Sequence, residues 1–302
     1  MAIGKSIRIY LKEGTVSGVK SAEVVNHTIQ ALACPRTKLS DLQKFFSKEA
    51  NRPGVYFLLG DDGSNKSKVY IGEAENVWDR LKNHDTKKDF WSDVILFTSK
   101  DENLTKSHVK YLESRLVSIS ATADRYILDN SNSPTMSSLP LPDQDSMEDF
   151  IDNIRLLTGT LGHKFLENPI SFFTEPKDLS LTALTETHIV VDTTGNLELE
   201  LSGKGIKAKA IQTDEGIVVL EGSAVAEQDL KSYNYGPLRE KLISEKVIVR
   251  DEHGKFFFAK NYLFKNPSPA AAVILGYSAN GRVLWKDNKG RSLNEIEQLV
   301  VK

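Results

Sequence analysis

Residues 54–60 read GVYFLLG and residues 68–72 read KVYIG, with Asp61-Asp62-Gly63-Ser64-Asn65 opening the gap between them. Both runs are dense in β-branched and aromatic residues, and the gap holds turn formers, so the segment predicts a β-hairpin with a turn-rich tip. Downstream, Asn76 is placed to cap a helix over 77–84, DVILFTS at 93–99 suits a buried strand, and Thr105 can cap a long helix over 106–121. Upstream, SIRIYLK (6–12) and EVVNHTIQALA (23–33) suit strands, and LSDLQKFFSK (39–48) suits a short helix opened by Ser40 or Asp41. The pattern predicts an α+β chain: a small antiparallel sheet flanked by helices, with additional α/β parts at either end.

Beyond residue 130 the composition changes. SNSPTMSSLPLPDQD (131–145) is rich in Ser and Pro and reads as a connector, after which MEDFIDNIRLL (147–157) resumes a helical pattern. A second Pro-punctuated stretch spans 168–177. Strand patterns follow in THIVVD, LELELS, KAKAIQ and GIVVLEGS, and then helix (PLREKLISEK, with Pro237 suited to a first turn), strand (KFFFAKNYLF) and the apolar AAAVILG. These shifts predict four parts: an N-terminal α/β extension at 1–48, a central domain with its connector and trailing helix at 49–160, a strand-rich link at 161–222 and a basic domain at 223–302.

The 302 residues are 40% hydrophobic and 26% charged, which suits two or three packed domains. No run approaches the ~20 apolar residues of a membrane span, and MAIGKSIRIYLKEG lacks the apolar core of a signal peptide, which predicts a cytoplasmic protein with no membrane partner. The single cysteine, Cys34, rules out an internal disulfide and a cysteine-rich zinc cage. Any metal would therefore be held by oxygen or histidine. The formal charge is only −2, yet residues 231–291 carry twelve Lys/Arg against five Asp/Glu, a local +7.

Gly54-Val55-Tyr56 and Tyr70-Ile71-Gly72 at the two ends of one hairpin, Arg80 and His84 in VWDRLKNH, Glu113 in the next long helix and Asn130 just beyond it closely resemble the signature of the GIY-YIG nucleases. The resemblance covers about a third of the chain, near 49–135. It departs in Val55 for the usual Ile, a small change in volume, and in a longer hairpin tip; Asn132 is an alternative to Asn130. The family implies a metal-dependent endonuclease acting on DNA, with Tyr56, Tyr70, Arg80, His84, Glu113 and Asn130 in the site, Glu113 as ligand of Mg²⁺ or Mn²⁺, and Tyr56 preferred over Tyr70 as general base. A non-cleaving nucleic-acid-binding protein of the same shape is the alternative.

The same residues fit phosphodiester hydrolysis without that resemblance. Arg80 and His84 are spaced i, i+4 and share a helix face, and a planar guanidinium suits phosphate oxygens. Glu113 lies among Val109, Leu112, Leu116 and Val117 on an apolar stripe, where an unpaired carboxylate is costly and a cation would relieve it. Each residue has a plainer reading: packed tyrosines on facing strands, and Arg and His on a solvated helix face. GDDGSNKS (60–67) approaches a phosphate-binding loop but joins two strands and lacks the second glycine, so it reads as a turn, and Gly203-Lys204-Gly205 is too short for a dinucleotide site.

From about Ser223 the chain looks like a small uncharacterised domain that often follows a GIY-YIG module in bacterial proteins. Its charge and its Tyr233, Tyr235, Tyr262, Phe264, Tyr277 and Trp285 suggest a surface that grips nucleic-acid backbone and stacks bases, whereas Phe256-Phe257-Phe258 reads as core.

Overall fold

A computed structural model describes residues 4–61, 67–130, 134–167, 197–203, 205–227 and 234–300. The chain divides into two compact units, Met1–Asn168 and Pro169–Lys302. It is a mixed α+β structure with several antiparallel sheets.

The first unit is built on a seven-stranded sheet from β1 (Ile7–Leu11), β2 (Lys20–Val24), β3 (Ile29–Pro35), β4 (Gly54–Asp61), β5 (Ser67–Ala74), β6 (Trp91–Ser99) and β7 (Ile127–Leu128), in the order β1-β2-β3-β6-β4-β5-β7. All pairings are antiparallel except β5 with β7. The expected hairpin is β4–β5, with Tyr56 opposite Gly72 and Leu58 opposite Tyr70; its tip at 62–66 lies outside the described residues. The N-terminal strands extend this same sheet through β3 and β6.

Alternation along β4 splits the core in two. Val55, Phe57 and Leu59 point to one face, where α4 (Lys106–Ala123) and α5 (Leu141–Thr160) supply Val109, Leu112, Leu116, Ile151 and Ile154. Tyr56 and Leu58 point to the other, under α1 (Leu39–Phe45) and α3 (Val77–Lys87), with Leu42, Val77 and Leu81. Each large apolar side chain so buried contributes roughly 1.5–3 kcal/mol.

Asn76 caps α3, its Oδ1 accepting the Asp79 N–H at 3.1 Å. Thr105 caps α4 in a reciprocal box with His108. Elsewhere the expectations need correction. The run 23–33 is not one strand: it breaks at a turn in which Asn26 adopts φ 66°, a conformation Asn tolerates. Residues 39–48 give two short helices, α1 and α2 (Ser47–Ala50), with Lys38 and not Ser40 or Asp41 at the first N-cap. The connector ends sooner than its prolines suggest, because Pro140 is the N-cap of α5 and Pro142 sits in its first turn, where a missing N–H costs nothing.

In the second unit, β8 (Leu197–Gly203), β9 (Ile206–Thr213), β10 (Gly216–Val219) and β14 (Tyr262–Phe264) form an antiparallel sheet in the order β14-β10-β9-β8. A smaller sheet orders β11 (Ala224–Val225), β13 (Phe256–Phe258) and β12 (Ile248–Arg250) as β11-β13-β12. KFFFAKNYLF thus supplies strands to two sheets instead of one. The apolar AAAVILG forms most of α7 (Pro267–Leu275), whose Ala270 to Leu275 are all buried. THIVVD lies outside the described residues. Gly205, at φ 80°, turns β8 into β9, the plain reading of that glycine pair.

Candidate active site

The hairpin glycines are where backbone and side chain pass closest. A Cβ on Gly72 would stand 2.4 Å from the Tyr56 hydroxyl oxygen and 2.5 Å from its Cζ, and a Cβ on Gly54 would stand 2.2 Å from the Phe97 carbonyl oxygen. Gly72 therefore lets the Tyr56 ring lie across β5, and Gly54 lets β6 close on β4.

Tyr56 is fully buried, and its hydroxyl shares a 2.8 Å hydrogen bond with Nε2 of His84. Arg80 Nε donates to the same oxygen at 3.4 Å. The i, i+4 spacing on α3 thus delivers both groups to one phenol. Tyr70 completes the cluster, with its ring centroid 5.1 Å from His84 and 6.2 Å from Tyr56; its side chain is only partly buried. Lys88 lies 4.3 Å over the Tyr70 ring and ion-pairs with Asp129, which also holds Lys68.

The electrostatics follow from this packing. Burial pushes the Tyr56 phenol well above its ordinary range, and the nearby Tyr70 adds to the shift, while Arg80 opposes both. Burial, with Arg80, Lys88 and Lys87 nearby, lowers His84 to about 4. The imidazole is neutral at pH 7. Arg80 is held in its charged form by the two phenols.

Glu113 approaches from the other face, round the edge of β5. Its helix, α4, packs against the core face lined by Ile71, and its carboxylate accepts the Glu73 backbone N–H. That contact belongs to a series. β7 pairs with β5 only at Lys68 and Val69, and the Asp129 N–H reaches the Val69 carbonyl at 2.8 Å. Two residues on, Asn130 takes over with its side chain, Oδ1 accepting the Ile71 N–H at 3.1 Å and Nδ2 donating to the Ile71 carbonyl at 2.8 Å. Glu113 then satisfies Glu73. The edge is closed in turn by a strand, an amide and a carboxylate.

Burial, reinforced by the like charge of Glu73, raises Glu113 to about 7, and Arg80 pulls the other way. Tyr56, Tyr70, Arg80 and His84 are therefore brought together in one cluster, while Glu113, on the helix of the other face, feels the Arg80 charge without a direct contact to that cluster. Asn130 borders it as a positioning residue whose amide is consumed by β5. Asn132 lies outside the described residues. Sequence reasoning missed Gly72 as a packing requirement, and it missed Glu73, Lys88 and Asp129, whose places depend on the β5 edge.

The metal implied by the family resemblance can be tested against these donors. No group of three or more His, Cys, Asp or Glu able to hold a metal occurs among the described residues. A hard divalent cation bound through one or two carboxylates, water and substrate phosphate needs no such cage. Glu113, with Glu73 beside it, fits that mode, because a cation would relieve the burial and repulsion that disfavour its charge.

Residues 199–297 match a domain of unknown function, DUF4357. No curated protein and no solved structure matches the chain. The DUF4357 match covers about a third of the chain and carries no activity with it. It begins in β8, upstream of Ser223, because β8, β9 and β10 belong to the same sheet as β14. Within DUF4357 the proposed base-stacking aromatics are largely structural. Trp285 and Phe264 are buried, and Tyr235, Tyr262 and Tyr277 pack against the same core; Tyr233 lies outside the described residues. Phe256 and Phe258 are core, as expected. Among the described residues, no helix is long and apolar enough to cross a membrane.

Proposed function

We propose that residues 49–135 form a GIY-YIG-type nuclease domain that hydrolyses phosphodiester bonds in DNA with the help of Mg²⁺ or Mn²⁺. The observation that carries this reading is the convergence of two phenols, a guanidinium and a neutral imidazole in one cluster, with the Glu113 carboxylate of α4 close enough for the charge of that guanidinium to act on it.

Tyr56 is too buried and too strongly held as a neutral phenol to take a proton from water, so the contact with the attacking water passes to the partly exposed Tyr70. Neutral His84 accepts a hydrogen bond from the Tyr56 phenol and fixes its orientation, with the Tyr70 ring packed beside it. Arg80 is exposed enough to reach substrate while its Nε stays anchored on Tyr56, which points charge-assisted donors at phosphate oxygens as negative charge redistributes. Glu113 would hold the cation, whose chemistry at such a site is to polarise the phosphoryl oxygen and steady the leaving oxygen.

The test is to incubate purified protein with supercoiled plasmid in Mg²⁺, Mn²⁺ or EDTA. Metal-dependent nicking is expected. DNA binding without nicking in either metal would leave a non-cleaving binding protein in its place.

A further inference from the structure

The two edges of the seven-stranded sheet are treated differently. The β7 edge is two residues long and its continuation is sealed by Asn130 and Glu113. The β1 edge is five residues, IRIYL, in regular register with β2 and free of Pro, Gly or bulge. Its centre is open: Ile9 is 42% and Tyr10 53% exposed. Edges of this kind are ordinarily blunted, because they present unpaired N–H and C=O groups.

We propose that β1 pairs with β1 of a second copy of this chain, antiparallel about a two-fold axis at Ile9, joining two sheets into one. The first support is backbone direction. Ser6 and Lys12 direct their backbone groups to β2, through the Val25 N–H to Ser6 C=O and Lys12 N–H to Val19 C=O bonds. Alternation then turns Arg8 and Tyr10 the same way and leaves Ile7, Ile9 and Leu11 facing outward. A two-fold at Ile9 sets Ile9 against itself and Ile7 against Leu11, so only outward-facing residues meet. The Ile9 pair makes two hydrogen bonds, and each Leu11 N–H reaches an Ile7 carbonyl. The Leu11 carbonyl already takes the Gly14 N–H at 3.1 Å and would be shared.

The second support is charge. In this register Arg8, which also holds Glu23 of its own chain at 2.8 Å, faces Tyr10 of the second copy, an amphipathic pair. The neighbouring registers fail. Centring on Arg8 sets Arg8 against itself, and centring on Tyr10 sets Arg8 against Lys12. Like charges directly opposite are destabilising. The third support is continuity: Ile7, Ile9 and Leu11 lie on the sheet face of Val24 and Ala22, so pairing extends that apolar core across the junction. The interface is small, which makes a weak, concentration-dependent dimer the expected form.

Sedimentation of the intact chain from about 5 to 200 µM tests this without reference to catalysis. Self-association is expected, abolished by Ile9→Pro, which removes an outward N–H and leaves the β2 pairing whole. Tyr10→Glu should tighten the dimer and Tyr10→Lys loosen it, each roughly tenfold, because each change meets Arg8 twice. Under oxidation, Ile9→Cys should form a linked dimer, since hydrogen-bonded partners lie about 5.5 Å apart at Cα, and Tyr10→Cys should not. A wild-type chain that stays monomeric throughout, or Tyr10→Cys cross-linking as readily as Ile9→Cys, overturns the proposal. Loss of nicking alone bears only on the nuclease reading.

Discussion

A carboxylate raised to about 7 and an imidazole lowered to about 4 make opposite demands on the folded state. Between its ordinary value of 4.5 and about 7, Glu113 keeps a proton in the folded protein that the unfolded chain has lost, so wild-type stability falls as pH rises through that window. Glu113→Gln keeps an acceptor for the Glu73 N–H and carries no charge. It is expected to match wild type at acid pH and exceed it near pH 8 by ~2 kcal/mol, with the gap closing when Mg²⁺ binds the wild type. Its cleavage should fall by orders of magnitude, while DNA affinity without metal holds or rises. A variant that melts normally and still nicks at near wild-type rate would remove Glu113 as cation ligand. His84 acts in the other direction. The unfolded imidazole gains its proton near 6.5 and the folded one only near 4, so stability is full above 6.5 and is lost as pH falls through that interval. His84→Gln should flatten this acid limb in a series of thermal melts; an unchanged limb would place the acid-sensitive group elsewhere.

The β4–β5 hairpin is the element on which the site depends, and Gly72 is its tightest point. Gly72→Ala drives a methyl group into the buried Tyr56 ring, so the ring or the strand must move. The expected cost is roughly 1–3 kcal/mol, with nicking lost beyond what the lower melting temperature explains, because the Tyr56–His84 bond is displaced. Wild-type activity at a wild-type melting temperature would show that Tyr56 has room to yield. The hairpin, its two caps downstream and the shared face of Arg80 and His84 were legible because they depend on residues within a few positions of one another. The closing of the β5 edge was not. That Asn130 spends both amide atoms on Ile71, and that Glu113 rounds the edge to Glu73, follows from where β7 stops, which no local pattern records. The break at Asn26 and the early start of α5 were misread for a related reason: Asn at positive φ and Pro in a first turn are permitted exceptions, and the neighbouring chain decides when they are used.

At the scale of the molecule, each unit has its own core, and residues 231–291 carry a local excess of positive charge. Because β10 pairs with β14, a truncation at residue 223 would cut through a sheet and expose Ile217 and Val219. Charge substitution is the cleaner probe. Lys255, Lys265 and Lys289 are exposed and lie outside helices and strands, so replacing all three by Gln should leave the melting temperature within about a degree. If the basic region holds DNA by its phosphates, affinity should fall uniformly across sequences, and the log–log salt slope should lose about 0.9 for each contact removed, up to about 2.7 for three. Base stacking is not expected to contribute, since Phe264 and Trp285 are interior, so single-stranded and duplex substrates should weaken in parallel. Metal-dependent nicking should persist at low salt, because the substituted lysines lie outside the hairpin, α3 and α4. An unchanged slope with unchanged affinity would detach the basic surface from nucleic acid, leaving the charge to serve another partner and the cleft to bind its substrate alone.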